Sequence, residues 1–406
     1  MLGRFTAEQR VCRDNLGREQ AAEFVWRGPA GSHGGCVVRI IVTLPWGERL
    51  GGAEAMMQMV LDGAQASPHE LELVFLAPGP WPRELREAGF RVEVLTAGRL
   101  REPRRWAATV LALARIFRAR RPDLILNWAA KTHLYGAPAA LLAGMAGRVL
   151  WWQQLIPDGH WLDRCATALP ARAVLCYSAA AARAQTRLFP PRRTCVVAAG
   201  APVVCAGAPP AQLPLPSGVP VVGLVGRLQP WKGQDRLLHA QALLRARGHE
   251  LHTVIVGGDA YGLSSEYAQS LPALVRRLGL ADAVTLTGQV RDAGPYIERM
   301  DVLVNASDPE PFGIVLLEAM ARGVAVVAVD SGGPAEFVEH GRTGLLARSG
   351  DPAALADALE PLLQAPALRE QLGVAGRERF LQDFTDAAMR GRFFAQLESI
   401  AGAPAR

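Results

Sequence analysis

Two glutamates eight positions apart, Glu310 and Glu318, stand in the stretch SDPEPFGIVLLEAMARGVAVVAVDSGGPAEFVEHGRTGLL, residues 307–346. Pro309 and Pro311 hold the chain extended around Glu310, and Gly313 opens a helix that carries Glu318 about a turn and a half inside. The first N–H groups of such a helix have no intrahelical partner and carry partial positive charge, so they suit a phosphate. Taken singly, Glu310 also reads as a carboxylate offsetting the helix dipole, and Glu318 as one residue of a solvated face. Arg227 and Lys232 follow an earlier apolar run, in VGRLQPWKG. Fixed cations of this kind stabilise a leaving group that gains negative charge in the transition state; the plainer reading is a surface Arg and Lys near a turn. Lys131 and Lys232 are the only lysines among 44 basic residues, so each stands against a strong bias toward arginine.

These residues need a scaffold, and the chain spells one out. Short apolar runs at 37–44, 70–76, 91–95, 123–128, 149–152, 174–177 and 194–198 alternate with helical stretches, among them 53–66, 104–120, 134–144 and 161–168. Residues 206–218 then hold four prolines in AGAPPAQLPLPSG, which no core element tolerates, and read as a linker. A second series comes next, with strands at 221–225, 253–257, 284–287, 302–305 and 324–329 and helices over 352–364, 367–381 and 385–400. Repeated βα units imply parallel sheets with helices on both faces. The expected fold class is α/β, with two doubly wound, Rossmann-like domains at 37–205 and 219–383. A C-terminal helix in 384–406 is expected to pack back toward the first domain. Residues 1–36 lack strong periodicity and read as a poorly ordered extension. Ligands of such sheets lie at the carboxyl ends of the strands, so two facing edges make a deep interdomain site.

Composition narrows the class. The chain is 50% apolar and 20% charged, which suits large cores and excludes a disordered protein. Six cysteines without a C-x-x-C pair exclude a zinc ribbon and a dense disulfide framework, and suit a reducing cytoplasm. No apolar run is long enough to span a bilayer, and residues 1–36 have no signal-peptide core. Residues 37–205 carry 21 basic against 12 acidic side chains, so this half is expected to meet something anionic. Arg99, Arg101, Arg104 and Arg105 precede one helix and Arg115, Arg118, Arg120 and Arg121 close it, around Trp106, Leu111, Leu113, Ile116 and Phe117. That helix reads either as a core helix with solvated ends or as a face resting on anionic lipid. No nucleic-acid motif accompanies the positive charge.

The segment from Glu310 to Leu346 resembles the retaining glycosyltransferases of GT-B fold, family 4 (glycosyl transferases group 1). Their signature is E-P-F-G-x-x-x-x-E-A-M-A-x-G, met here by Glu310–Gly313 and Glu318–Gly323; the tails GGPAE and GRTGLL match as well. Their G-R-x-x-x-x-K-G pattern is met by Gly226–Gly233, and G-G-A-E by Gly51, Gly52, Ala53 and Glu54. The resemblance implies roles residue by residue. Glu310 would touch hydroxyls of the donor sugar and Glu318 the ribose. Arg227, Lys232 and the backbone at Phe312, Gly313, Ile314 and Val315 would meet the diphosphate. Val290 would border the base, and the loop of Gly51 and Gly52 would lie near the phosphates and the acceptor. The family's His after a first-domain strand has no counterpart, because Gln153 and Gln154 stand there; Gln154 or His160 is expected to do its polar work, with Asp158 and His133 as further candidates.

The activity this resemblance implies is transfer of a sugar from a nucleotide-diphosphate sugar to a hydroxyl acceptor, with retained configuration, in cell-envelope polysaccharide or glycolipid synthesis. The acceptor would be a glycan, a lipid-linked or a small molecule. Neither metal nor other cofactor is expected; cationic side chains and a helix dipole serve instead. The protein would be cytoplasmic, with a peripheral contact to anionic membrane and no nucleic-acid partner. Two rivals are a nucleotide-sugar epimerase on the same fold and a binding protein that holds a nucleotide sugar without turnover.

Overall fold

The computed structural model describes residues 37–402 except 50, 205–209, 260, 261, 263 and 349. The extension read at 1–36 and the start of the linker lie outside the described residues.

The first domain is a seven-stranded parallel sheet in the order β3-β2-β1-β4-β5-β6-β7. Its strands are β1 (Arg39–Leu44), β2 (Glu70–Phe75), β3 (Arg91–Val94), β4 (Leu124–Asn127), β5 (Val149–Gln153), β6 (Ala173–Cys176) and β7 (Thr194–Val196). The helices between them are α1 (Gly52–Ala64), α2 (Pro80–Glu87), α3 (Pro103–Arg120), α4 (Ala130–Leu142), α5 (Trp161–Ala168) and α6 (Ala179–Thr186). Strands β4, β5 and β6 are buried along their whole length, as central parallel strands covered on both faces must be.

The second domain is a six-stranded parallel sheet in the order β10-β9-β8-β11-β12-β13. It comprises β8 (Val221–Val225), β9 (His252–Val256), β10 (Val284–Leu286), β11 (Val302–Asn305), β12 (Ala325–Val329) and β13 (Leu345–Ala347). Around it lie α7 (Gln234–Ala246), α8 (Ser265–Arg277), the short α9 (Gly294–Ile297), α10 (Ile314–Ala321), α11 (Pro352–Gln364) and α12 (Pro366–Asp383). Both sheets are the doubly wound kind expected from the alternating pattern.

The last helix, α13 (Asp386–Gly402), crosses back to the first domain. A backbone bridge between Ala201 and Thr385 starts the crossing. Phe393 then packs 5.9 Å from Trp152, and Glu398 pairs with the buried His69 at 3.0 Å.

The arginine-flanked helix resolves toward its core reading. Leu113 and Phe117 of α3 are fully buried, and Trp106 donates its indole N–H to the Leu134 carbonyl of α4. Arg118 donates to the Leu142 carbonyl. Of the apolar residues read on this helix only Leu111 stays exposed, at 49%; the others are spent wholly or partly on packing.

Candidate active site

The carboxyl edges of the two sheets face each other across a cleft of about 630 Å³. Each sheet reverses its winding at one point, between β1 and β4 in the first domain and between β8 and β11 in the second. Loops part at such a point and leave a crevice for a ligand.

On the second-domain wall, the loop after β8 brings Arg227 and Lys232 to the cleft, and the loop after β11 brings Glu310. The Lys232 ammonium lies 2.8 Å from Glu310 Oε2 and 4.0 Å over the Trp231 ring. Asn305 Nδ2 donates to the same Glu310 oxygen at 3.2 Å. Glu310 is only 5% exposed. Burial by itself pulls its carboxyl upward, but Lys232, Ser307 and Asn305 outweigh that and hold it below the ordinary carboxylate range. Its backbone is fixed too: the Glu310 N–H donates to the Ser331 carbonyl and the Gly333 N–H to the Glu310 carbonyl.

Gly313 is the N-cap of α10 with φ 94°, a left-handed conformation that favours glycine. The turn it makes opens the first N–H groups of α10 toward the cleft, beside Ile314 and Val315. Phe312 is buried in a stack with Phe337, so its side chain anchors the loop and leaves its backbone for a ligand. Glu318, one turn further along, borders the cleft. Burial raises its carboxyl to about 7, against the pull of Arg322. Val290 lies on the same side, in the loop after β10.

The first-domain wall holds Gly51, Gly52 and Gln154. Gly52 approaches the other domain so closely that an added Cβ would sit 3.2 Å from Ile314 Cδ1. Gln154 Nε2 donates to the Trp128 carbonyl, which holds this side chain at the cleft. Gln153 turns the other way, into a network with Gln185 at 3.3 Å and Asp163 at 3.5 Å.

The structure corrects the role expected of His160. Its side chain is exposed and caps α5, with Nδ1 accepting from the Leu162 N–H at 3.4 Å, and it is not among the cleft-lining residues. The sequence carries no cap at that helix start except this His, so the local need for an acceptor claims it. His133 is also elsewhere: it is fully buried against Trp151, and burial lowers it to about 3, so it is a neutral core side chain. Asp158 is exposed and accepts from the His160 N–H.

One cleft residue had no signal of its own in the sequence. Tyr177 comes directly after β6 on the cleft floor, where an apolar strand simply ends. Glu54, which closes the G-G-A-E match, is buried in the first turn of α1 beside Gly51 and does not itself line the cleft. Burial raises its carboxyl, and Arg227 across the cleft pulls it back down. Its spacing from Gly51 is that of a helix-capping carboxylate. Among the described residues, no group of three His, Cys, Asp or Glu side chains is placed to hold a metal ion.

The family model described as Glycosyl transferases group 1 matches residues 209–379, and the Glycosyl transferase 4-like domain matches residues 51–200. The chain belongs to the group 1 glycosyltransferases. Its fold is that family's GT-B fold. An Anabaena protein of this shape, HepE, solved with UDP and glucose, superposes with a TM-score of 0.73 at 25% identity, covering 89% of this chain and 100% of that one. A D-inositol 3-phosphate glycosyltransferase from Nocardia farcinica is 40% identical over 157 residues, which are 38% of this chain and 35% of that protein. A lipopolysaccharide core biosynthesis glycosyltransferase from Rhizobium meliloti is 31% identical over 189 residues, 47% of this chain and 53% of that protein. The chain thus matches about a third to a half of the length of these curated relatives. Within the group 1 pattern, Glu310, Glu318, Arg227 and Lys232 all converge on one wall of the cleft.

Proposed function

We propose that the protein transfers a sugar from a nucleotide-diphosphate sugar to a hydroxyl acceptor, with retention of anomeric configuration. The observation that carries this is the grouping of Arg227, Lys232 and the N-terminus of α10 around Glu310 at the cleft. A diphosphate seated there would meet two cations and a helix dipole, and each becomes more favourable as the leaving group gains charge. Lys232 would exchange part of its bond to Glu310 for the phosphate, freeing a Glu310 oxygen for the donor sugar. Glu318, facing the same cleft, would take the ribose hydroxyls. The acceptor would enter from the wall of Gly51, Gly52 and Gln154 and attack from the face the diphosphate leaves, with a diphosphate oxygen taking its proton. The protein's part is then positioning, charge stabilisation and exclusion of water.

The UDP and glucose held by the Anabaena protein support a nucleotide-sugar donor. The Rhizobium relative, named for lipopolysaccharide core biosynthesis, supports a role in building an envelope glycan or glycolipid. A lipid-linked acceptor would be met at a membrane surface; among the described residues no helix is long and apolar enough to cross a bilayer. The test is incubation with a panel of nucleotide sugars, with and without cell extract, monitoring release of nucleotide diphosphate. Release from one donor, accelerated by extract, is expected. Failure of every donor to react or to bind would reject the reading.

A further inference from the structure

The first domain carries a surface feature that donor binding does not use. Among the described residues, the three most exposed large apolar side chains are Phe189 at 85%, Trp161 at 59% and Leu155 at 55%. Apolar residues exposed singly need no explanation, but these three share one corner of the fold. Leu155 and Trp161 bracket the loop between β5 and α5, and Phe189 stands in the loop between α6 and β7. The two loops meet where a Cβ on Gly159 would lie 3.9 Å from Leu188 Cδ2. Trp161 is two residues beyond that contact on one loop, and Phe189 one residue beyond it on the other. Leu155 also lines the cleft, next to Gln154.

Positive charge gathers at the same corner. Residues 154–193 hold six arginines against two acidic residues, Asp158 and Asp163, a net of +4. Arg192 is spent on the carbonyls of Thr167, Ala168 and Leu169 at the end of α5. Arg164 donates to the Gly159 carbonyl at 2.9 Å, which seats it beside the loop contact, and Arg187 directly precedes Leu188. Arg164, Arg183, Arg187 and Arg193 are all exposed. Among the described residues none of these four is in an ion pair, whereas Arg245, Arg247, Arg342 and Arg379 of the second domain each have a carboxylate.

We propose that this corner is a docking surface for an anionic lipid bilayer. Aromatic rings settle at the level of lipid headgroups, and arginines beside them reach the phosphates. Three exposed side chains at two loop tips are too few for the roughly 800 Å² per partner that a stable dimer buries, whereas a fluid bilayer adapts to whatever tips enter it. Docked in this way, the protein turns the mouth of the cleft at Leu155 toward the membrane surface. A lipid-linked acceptor would then reach the wall of Gln154 without leaving the bilayer. That consequence rests on the glycosyl-transfer reading; the docking itself does not.

Sedimentation with vesicles tests the docking without any substrate. The full chain is expected to pellet with vesicles of equal parts phosphatidylcholine and phosphatidylglycerol, to bind phosphatidylcholine alone weakly, and to be released as salt rises. Trp161→Ser with Phe189→Ser should weaken binding to the anionic vesicles about 10- to 100-fold, through lost apolar contact. Arg183→Glu with Arg187→Glu should weaken it at low salt and make little difference at high salt, where the charges are already screened. Both double variants should keep the parent's melting temperature and its affinity for UDP. A parent that ignores anionic vesicles, or double variants that bind them as the parent does, would overturn the proposal. A parent dimer in analytical ultracentrifugation that the serine variant dissolves would overturn it too, by assigning the corner to a second copy of the chain. Failure of the parent to bind UDP would remove the donor reading and leave the vesicle result standing.

Discussion

Glu310 and Glu318 lie on one cleft wall, yet their surroundings push the two carboxyls in opposite directions. Glu310 has a lysine and an amide on one oxygen and stays ionised; Glu318 has burial outweighing the charge of Arg322, which bonds its backbone carbonyl, and reaches about 7. For Glu318 the unfolded chain releases its proton in the ordinary carboxyl range and the folded chain only near 7. The folded state binds the extra proton between those limits, so this group costs stability as pH rises across that window. Glu318→Gln keeps the neutral form. Its melting temperature is expected to match the parent near pH 4.5 and to exceed it by an increasing margin toward about pH 8. The same variant should bind nucleotide diphosphate more weakly, a trade of binding for stability that calorimetry and thermal denaturation read separately. Glu310 behaves inversely, since its stabilising ionisation is lost as pH falls through its lowered pKa. Lys232→Met would strand that carboxylate and is expected to cost about 3–5 kcal/mol in urea unfolding. Adding Glu310→Gln should recover most of the loss; a double variant no more stable than Lys232→Met would contradict the pairing.

At the scale of elements, the alternation of strands and helices was legible because both sheets are parallel and their central strands are continuous apolar runs. Helix starts were less legible. The sequence places α4 from residue 134, but it begins at Ala130, because Thr132 caps it by accepting the Ala129 N–H from inside the helix. His160 reads as chemistry and acts as a cap for the same reason: cap and catalyst draw on the same residue types. Glu336 shows what local reading cannot reach. Its carboxylate crosses from the second domain to accept the Ala179 and Ala180 N–H groups at 2.8 and 2.7 Å, capping α6 of the first domain from outside. The same turn carries Gly333, whose N–H holds the Glu310 carbonyl, so the contact links domain position to the carboxylate in the cleft. Glu336→Ala is expected to lower stability by about 1–2 kcal/mol, as loss of a cap does. Turnover should fall more than nucleotide affinity, because Arg227, Glu318 and the start of α10, the proposed nucleotide contacts, are untouched. Equal losses in both would show that the contact supports only the fold.

The whole molecule is two ligand edges held face to face, with α13 returning to the first domain through Phe393 and Glu398. Transfer needs the edges close enough to exclude water and apart often enough to exchange ligands. One close approach across the cleft is Gly52 against Ile314, where a side chain on Gly52 would meet Ile314 Cδ1. Gly52 is the first residue of α1, a helical position any L-residue can take, so a larger side chain there acts as a wedge between domains with no demand on the backbone. Gly52→Val is therefore expected to fold with a near-parental melting temperature, bind nucleotide diphosphate on the second-domain wall, and lose most turnover. Small-angle scattering should show a larger radius of gyration. Shortening the opposing side chain tests the geometry itself: Gly52→Val with Ile314→Ala should close the gap and restore both compactness and activity. A single variant that keeps full turnover would mean that the edges react without coming as close as they stand here, and a double variant that stays open would show that something other than this pair holds the edges apart.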